Sequence, residues 1–154
     1  MSIEAIQQEI IEEFSLLEDW MDRYSLLIEI GNSLPEMEPS KKTDENLIDG
    51  CQSKVWFTAE LSTSTSGEPI IIYKGDSDAI LVKGIVALLI RVLSGHTPEE
   101  IIEADLHFID DIHLREHLSP TRSNGLASML KQMLLYALAL KQVKFASIQN
   151  MLIL

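Results

Sequence analysis

One thiol and four imidazoles are the side chains of this 154-residue chain best suited to nucleophilic or metal chemistry. The thiol is Cys51, the only cysteine, in the run Gly50-Cys51-Gln52-Ser53. A single cysteine cannot close an intramolecular disulfide, so no disulfide scaffold is expected. Thiol chemistry needs a deprotonated, accessible sulfur. Gly50 gives a permissive backbone on one side of it, and Asn46, Asp49, Gln52 and Ser53 make a polar neighbourhood. A lone cysteine can equally be a small buried hydrophobe, and these residues alone leave both readings open. Asp49 disfavours a thiolate beside it, and Lys54 is the nearby cation that could offset it.

The histidines offer two further chemistries. A Cys–His nucleophile pair would join Cys51 to His96, His107, His113 or His117, but no local signature selects one of them. His113-Leu114-Arg115-Glu116-His117 matches H-x-x-E-H, the inverted zinc-peptidase motif. On a helix, two histidines four apart can share a metal while the glutamate acts as a base. Such a site also needs a third ligand, and residues 118–154 contain no Asp or Glu. An upstream carboxylate such as Glu103 would have to serve, and Pro120 cuts short any helix carrying the motif. A zinc metallohydrolase built on His113, Glu116 and His117 is thus the enzymatic alternative. The competing reading is a pair of exposed surface histidines, and no bound metal or cofactor is expected.

Composition narrows the partners. The formal net charge is −12, and all 24 acidic residues lie in positions 1–117. An acidic surface repels phosphate backbones, so nucleic acid is not expected as a partner, whereas a basic protein surface could be steered in. The segment 79–93 is the most apolar, but it is short for a membrane span and carries Lys83 and Arg91. Met1-Ser2-Ile3-Glu4 shows no basic region followed by an apolar run, so neither a signal peptide nor a membrane location is expected. A cytoplasmic protein of one domain, 1–154, with 46% hydrophobic residues and a real core, is the expectation, and an acidic interaction adaptor with an inert Cys51 is a further alternative.

The elements that must position the thiol follow from periodicity. Ile3, Ile6, Ile10, Phe14 and Leu17 recur at helical spacing behind Ser2 as N-cap. A second helix is expected over 18–30, ended by Gly31-Asn32, with a polar loop over 36–45. From Ser53 the period becomes two, with Val55, Phe57, Ala59 and Leu61 on one face and Lys54, Trp56, Thr58 and Glu60 on the other. A Ser/Thr/Gly turn over 62–67 returns the chain as a strand over 69–75, giving an antiparallel hairpin. Asp76, Ser77 and Asp78 then read as caps for a buried helix over 79–93, in which Gly84 marks close packing. Thr97-Pro98-Glu99-Glu100 opens a short helix, and Ser119-Pro120 opens the last one, with Leu126, Leu130, Met133, Ala137 and Leu140 as its inner stripe. The apolar end, Met151 to Leu154, should pack or mediate association. The fold class is α+β: an antiparallel sheet built on a hairpin, covered by N-terminal, central and C-terminal helices.

Several separated blocks carry a resemblance. Asn46-x-Ile48-x-Gly50-Cys51-Gln52-Ser53-x-Val55-Trp56 resembles the signature of the SufE/CsdE-type sulfur acceptors that work with cysteine desulfurases. Trp20, Tyr24, Leu27 and Leu34-Pro35 are similar to that family's N-terminal helix and loop. Gly75-Asp76-Ser77-Asp78-Ala79 with Val82-Lys83-Gly84 is similar to its central helix start, and Ser119-Pro120-x-Arg122-x-Asn124-Gly125-Leu126 to its last. The resemblance implies a fold like that of IscU-type scaffolds and no cofactor of the chain's own. It implies a PLP-dependent cysteine desulfurase as sulfur donor and an iron–sulfur scaffold protein as acceptor, with the chain itself a monomer or homodimer. Cys51 would carry the persulfide. Gly50, Gln52 and Ser53 would shape its loop, and Gln52 and Ser53 would hydrogen-bond the sulfur. Arg122 would favour the thiolate, contact the partner, or pair with Asp78 at a helix start. Trp56 would pack under the loop or meet the partner, and Trp20 and Tyr24 would lie in the core.

Overall fold

The computed structural model describes the backbone of residues 1–153 and the side chains of residues 1–143. In chain order the elements are α1 (Ile3–Ser15), α2 (Trp20–Asn32), β1 (Val55–Thr63), β2 (Pro69–Ser77), α3 (Ile80–Leu93), α4 (Pro98–Glu103), α5 (Phe108–Asp111) and α6 (Pro120–Ile153). Two 3₁₀ turns, Pro39–Lys41 and Asp44–Asn46, interrupt the expected loop before β1, and a third, Arg115–His117, precedes α6. The architecture is α+β, with one two-stranded antiparallel sheet among the described residues.

Local chemistry accounts for most of the helix starts. Ser2 Oγ accepts from the Ala5 amide at 3.0 Å, and Asp19 caps α2 through the Met21 amide at 2.9 Å. Thr97 and Glu100 form a reciprocal capping box with Pro98 in the first turn of α4. Ser119 Oγ accepts from the Arg122 amide at 3.2 Å and opens α6. The second helix runs two residues further than expected, through Gly31 and Asn32, because Gly31 serves packing and not termination. A Cβ on Gly31 would sit 2.7 Å from the Gly84 nitrogen, and one on Gly84 would sit 2.2 Å from the Leu27 carbonyl oxygen. The two glycines therefore let α2 and α3 approach backbone to backbone.

The sheet register pairs Val55 with Ser77, Phe57 with Gly75 and Ala59 with Tyr73. Val55, Phe57, Ile71 and Tyr73 are buried on its inner face with Val82, Ile85, Leu88, Leu89 and Val92 of α3 and Leu126, Met129 and Met133 of α6. Gly75 has no room for a side chain, since a Cβ would meet Val86 Cγ1 at 2.8 Å.

Two expectations need correction, and a third is narrowed. Strand β2 extends to Ser77, and Asp76, Ser77 and Asp78 do not cap α3, whose N-cap position is Ala79 with no side-chain cap. Of the two readings for Trp56, packing or meeting a partner, the burial agrees with packing. The indole is buried beside Asp76 on the outer face, beneath the segment that carries Met37 and Lys42, with Lys42 Nζ 5.4 Å from its ring centroid. Trp20 and Tyr24 are only half-buried: Trp20 stacks on His117 at 3.6 Å, and the Tyr24 hydroxyl donates to the His117 carbonyl at 2.6 Å. On α6, Leu126, Met133 and Ala137 of the expected stripe are buried, Leu130 and Leu140 partly so, and Met129 joins them. The side chains of the apolar end, 151–154, lie outside the described residues.

Candidate functional site

The thiol is carried on a short loop closed at its base against β1. The Ile48 amide donates to the Val55 carbonyl at 2.9 Å, and Leu47 makes an antiparallel bridge with Trp56. The far end of the loop is held from across the sheet. Asp78 Oδ1 accepts from the Lys54 amide at 3.0 Å, while the Lys54 carbonyl accepts from Ser77 Oγ at 2.9 Å and from the Asp78 amide at 3.2 Å. The acidic turn after β2 therefore clamps Lys54, three residues beyond the thiol, and leaves α3 without a side-chain cap.

At the loop tip Gly50 adopts φ +89°, a left-handed conformation that glycine takes at little cost. It also lies against α6, where a Cβ would be 2.5 Å from Ser128 Oγ. Cys51 is half-buried and its Sγ donates a weak hydrogen bond to the Gly125 carbonyl at 3.6 Å. Gly125 is itself buried, and a Cβ there would meet the sulfur at 3.4 Å. Burial pushes the Cys51 pKa above that of an ordinary thiol, and a carbonyl partner suits a protonated donor. At neutral pH the resting group is thus a thiol, not a thiolate.

The sulfur faces a cleft of about 80 Å³ between the loop and the first turns of α6. Val55, Val82 and Met129 give it apolar walls, and Gln52, Ser53, Thr121 and Arg122 give it polar ones. Arg122 is exposed and forms no ion pair among the described residues, so the expected pairing with Asp78 is not made. The structure thus brings together Cys51, Gln52, Ser53 and Arg122, with Gly50 beside them. Asp78 acts on the loop from outside the cleft, and Trp56 is packed away from it. Sequence reasoning assigned no role to Gly125, Val82 or Met129. The one signal was Gly125 itself, because a glycine early in a helix is costly unless something packs against it.

No histidine lines the cleft. His96 bonds the Leu93 and Met1 carbonyls, and His107 lies between the carboxylates of Glu4 and Asp111. His113 has φ +58° and follows the end of α5, so His113 and His117 do not share a helix. His113 Nδ1 lies 3.3 Å from Glu116, and His117 Nδ1 bonds the His113 carbonyl. The helix that the zinc motif requires is absent, and no group of three or more His, Cys, Asp or Glu placed to hold a metal occurs among the described residues.

One carboxylate, Asp76, is buried on the outer face of the sheet beside Trp56. Burial alone would raise its pKa, but the Met37 and Ser77 amides, Lys42 and Lys83 more than offset that and hold it below the usual carboxylate range. It fastens the 37–42 segment over Trp56 and so supports the strand from which the thiol loop springs.

Comparison with known proteins bears on this site. The family model described as "SufE: Fe-S metabolism associated domain" matches residues 8–137. An uncharacterized SufE-like protein of Rhizobium meliloti strain 1021 is 41% identical over 125 residues, covering 80% of this chain and 89% of that protein. An uncharacterized SufE-like protein of Rhizobium etli is 45% identical over 128 residues, covering 80% and 84%. In three dimensions the chain is similar to the solution structure of a hypothetical protein from Thermus thermophilus, with a TM-score of 0.68 at 22% identity over 86% of this chain and 93% of the other.

Proposed function

This chain belongs to the SufE family of Fe–S metabolism proteins, and from that membership we propose that Cys51 receives sulfur from a cysteine desulfurase. The family makes it an accessory protein of sulfur transfer in Fe–S metabolism rather than a classical enzyme. No helix among the described residues is long and apolar enough to cross a membrane. The observation that carries the finer reading is the position of the only thiol, on a clamped loop that lines a cleft together with Arg122.

The proposed step is a thiol–persulfide exchange. The Cys51 thiolate attacks the terminal sulfur of a persulfide on the active-site cysteine of a PLP-dependent desulfurase. A new S–S bond forms at Cys51 and the S–S bond of the donor breaks, returning the donor cysteine as a thiolate. No external oxidant or reductant is needed, and the PLP belongs to the partner. The Cys51 persulfide then passes its terminal sulfur by the same exchange to an iron–sulfur scaffold protein.

The resting geometry defines what the partner must do. A half-buried thiol donating to Gly125 is a poor nucleophile. Docking has to lift Cys51 off that carbonyl into a setting where the thiolate is favoured. Gly50 supplies the backbone freedom for the movement, and Arg122, exposed at the cleft mouth, supplies the positive charge or a contact to the partner. Loops held by a rigid scaffold are suited to this kind of delivery.

The test is intact-protein mass spectrometry after incubation with a cysteine desulfurase and cysteine, without reductant. The expected outcome is the addition of one or more sulfur atoms to the wild type and none to Cys51→Ser, which keeps the fold. Unchanged mass of the wild type, or equal stimulation of the desulfurase by Cys51→Ser, overturns the mechanism.

A further inference from the structure

Both edges of the two-stranded sheet are partly covered by the chain itself. On β1 the Val55 carbonyl accepts from the Ile48 amide, and the Phe57 carbonyl accepts from the Tyr136 hydroxyl at 3.3 Å. On β2 the Ile71 amide donates to the His96 carbonyl at 2.9 Å, the Ile71 carbonyl accepts from the Gly95 amide at 2.7 Å, and the Tyr73 amide donates to Ser94 Oγ at 2.9 Å. Main-chain groups alternate in direction along a strand. Gly75 therefore points its amide and its carbonyl to this same edge, as Tyr73 does its carbonyl. Beyond them the Ser77 amide donates to Asp76 Oδ1 at 2.8 Å. Between these covered ends, the Tyr73 carbonyl and the Gly75 amide and carbonyl have no hydrogen-bond partner among the described residues. Both residues are buried, and buried main-chain groups are rarely left unpaired.

The gap opens on a groove of about 540 Å³, lined by β2 around Tyr73 and Gly75, by Ile90 of α3 and by the segment 34–38 that follows α2. Leu34, Ile72 and Ile90 give it half-buried apolar walls. Lys74 also lines it, is exposed, and forms no ion pair among the described residues. The remaining charges are Glu36, which pairs with Lys42 at 3.8 Å, and the exposed Glu38, Lys41 and Glu60.

We propose that this edge binds an extended segment of a partner protein as a third, antiparallel strand, and that the segment carries an acidic residue between two apolar ones. The free main-chain groups select an extended backbone. The first residue of the triplet exchanges both main-chain hydrogen bonds with Gly75, and the amide of the third donates to the Tyr73 carbonyl. The middle residue then lies opposite Lys74 and on the same face of the sheet, where its carboxylate meets the unpaired ammonium. The first and third residues point to the face of Gly75 and Tyr73, towards α3, where Ile90 and Leu34 offer apolar contact. Glu38 and Glu60 favour basic residues outside the triplet, so acid is wanted at its centre only. A second copy of this chain fits poorly. Pairing β2 with β2 around Gly75 would set Lys74 opposite Asp76, which is buried and already held by Lys42 and Lys83.

Strand addition here is separate from the sulfur chemistry. No residue lines both the groove and the Cys51 cleft. The free edge stops short of Ser77, whose hydroxyl holds the Lys54 carbonyl at the end of the thiol loop. The site therefore stands or falls independently of sulfur acceptance at Cys51.

The experiment titrates the isotope-labelled full chain with the capped peptide acetyl-Lys-Val-Glu-Val-Lys-amide and follows its amide resonances. The Gly75 amide should shift downfield and saturate, as a new hydrogen bond forms there. The same peptide with Lys in place of Glu should bind at least about three-fold more weakly, as expected for loss of an exposed ion pair. Methylating the nitrogen of its first Val should weaken binding about five-fold, the value of one hydrogen bond. Lys74→Glu, at an exposed position that leaves the core untouched, should reverse the preference between the Glu and Lys peptides. No saturable shift at Gly75 with millimolar peptide overturns the site, and undiminished binding of the methylated peptide overturns strand addition. Equal affinity for the two peptides, or a preference that Lys74→Glu leaves unchanged, overturns the charge selection. A wild type that dimerises with a Gly75 shift on concentration alone overturns the occupant.

Discussion

At the scale of the residue, the site turns on how one sulfur is kept neutral. Cys51 sits in a half-buried position with a carbonyl as its partner, and both conditions favour the protonated thiol. Reactivity therefore depends on loop movement, and the loop's far end is secured by Asp78 on the Lys54 amide. A hydrogen bond of this kind contributes about 1 kcal/mol net, so removing it should raise the open population about five-fold. Asp78→Ala is expected to speed alkylation of native Cys51 by about that factor, measured against a denatured control. Labelling no faster than wild type would mean that the Ser77 and backbone contacts to Lys54 hold the loop without help from the carboxylate. Arg122 has no anionic partner among the described residues, which leaves its charge free for a thiolate or a docking surface at the cleft mouth.

At the scale of the element, two features test the packing argument. Helices α2 and α3 meet through Gly31 and Gly84, with the Leu27 carbonyl in the space a side chain at 84 would need. Gly84→Ala gains helix propensity in isolation, but the clash should dominate and cost about 1–3 kcal/mol, read as a lower urea midpoint. A stabilised variant would show that the helices can separate at no cost. The other feature is the clasp between α1 and α5. Asp111 on one ring nitrogen of His107 and Glu4 on the other raise the imidazole pKa above its ordinary value of about 6.5. The folded state therefore binds a proton more tightly than the unfolded chain. That contribution is complete below the ordinary imidazole pKa and is lost as pH rises through the raised folded value. Melting temperatures taken across this window should fall with rising pH, and His107→Gln should remove that part of the decline. An identical slope in both proteins would place the pH dependence elsewhere.

At the scale of the whole molecule, charge and shape are divided between two regions. The body carries every acidic residue, while the stretch from 118 onward carries only basic charge. The body matches the SufE family over 8–137, and α6 continues past it with Leu138 and Val143 exposed. The division predicts that Leu138→Glu, past the family match, leaves sulfur acceptance intact, whereas Cys51→Ser abolishes it. Comparing the two variants in sulfur transfer checks this directly. A loss of sulfur acceptance in Leu138→Glu would show that the two regions are not independent.

Contiguous residues by themselves determined the helices with their Ser2, Thr97 and Ser119 starts, the hairpin with its period of two, the buried third helix, and the thiol beside a permissive glycine. Each of these rests on physics acting within a few residues: a hydroxyl reaching an amide three positions on, side chains alternating along a strand, or a missing Cβ. The motif blocks added the family. Only the tertiary structure decided the use of Asp76, Ser77 and Asp78, because their partners lie far away in the chain, at Met37, Lys42 and Lys54. It likewise decided that Trp56 is covered and that Arg122 does not pair with Asp78. It brought Gly125, Val82 and Met129 to the sulfur, and it split His113 from His117 at a left-handed residue where the motif alone suggested one helix. Those outcomes depend on which surfaces the packed core brings within hydrogen-bonding distance, which local spacing does not encode.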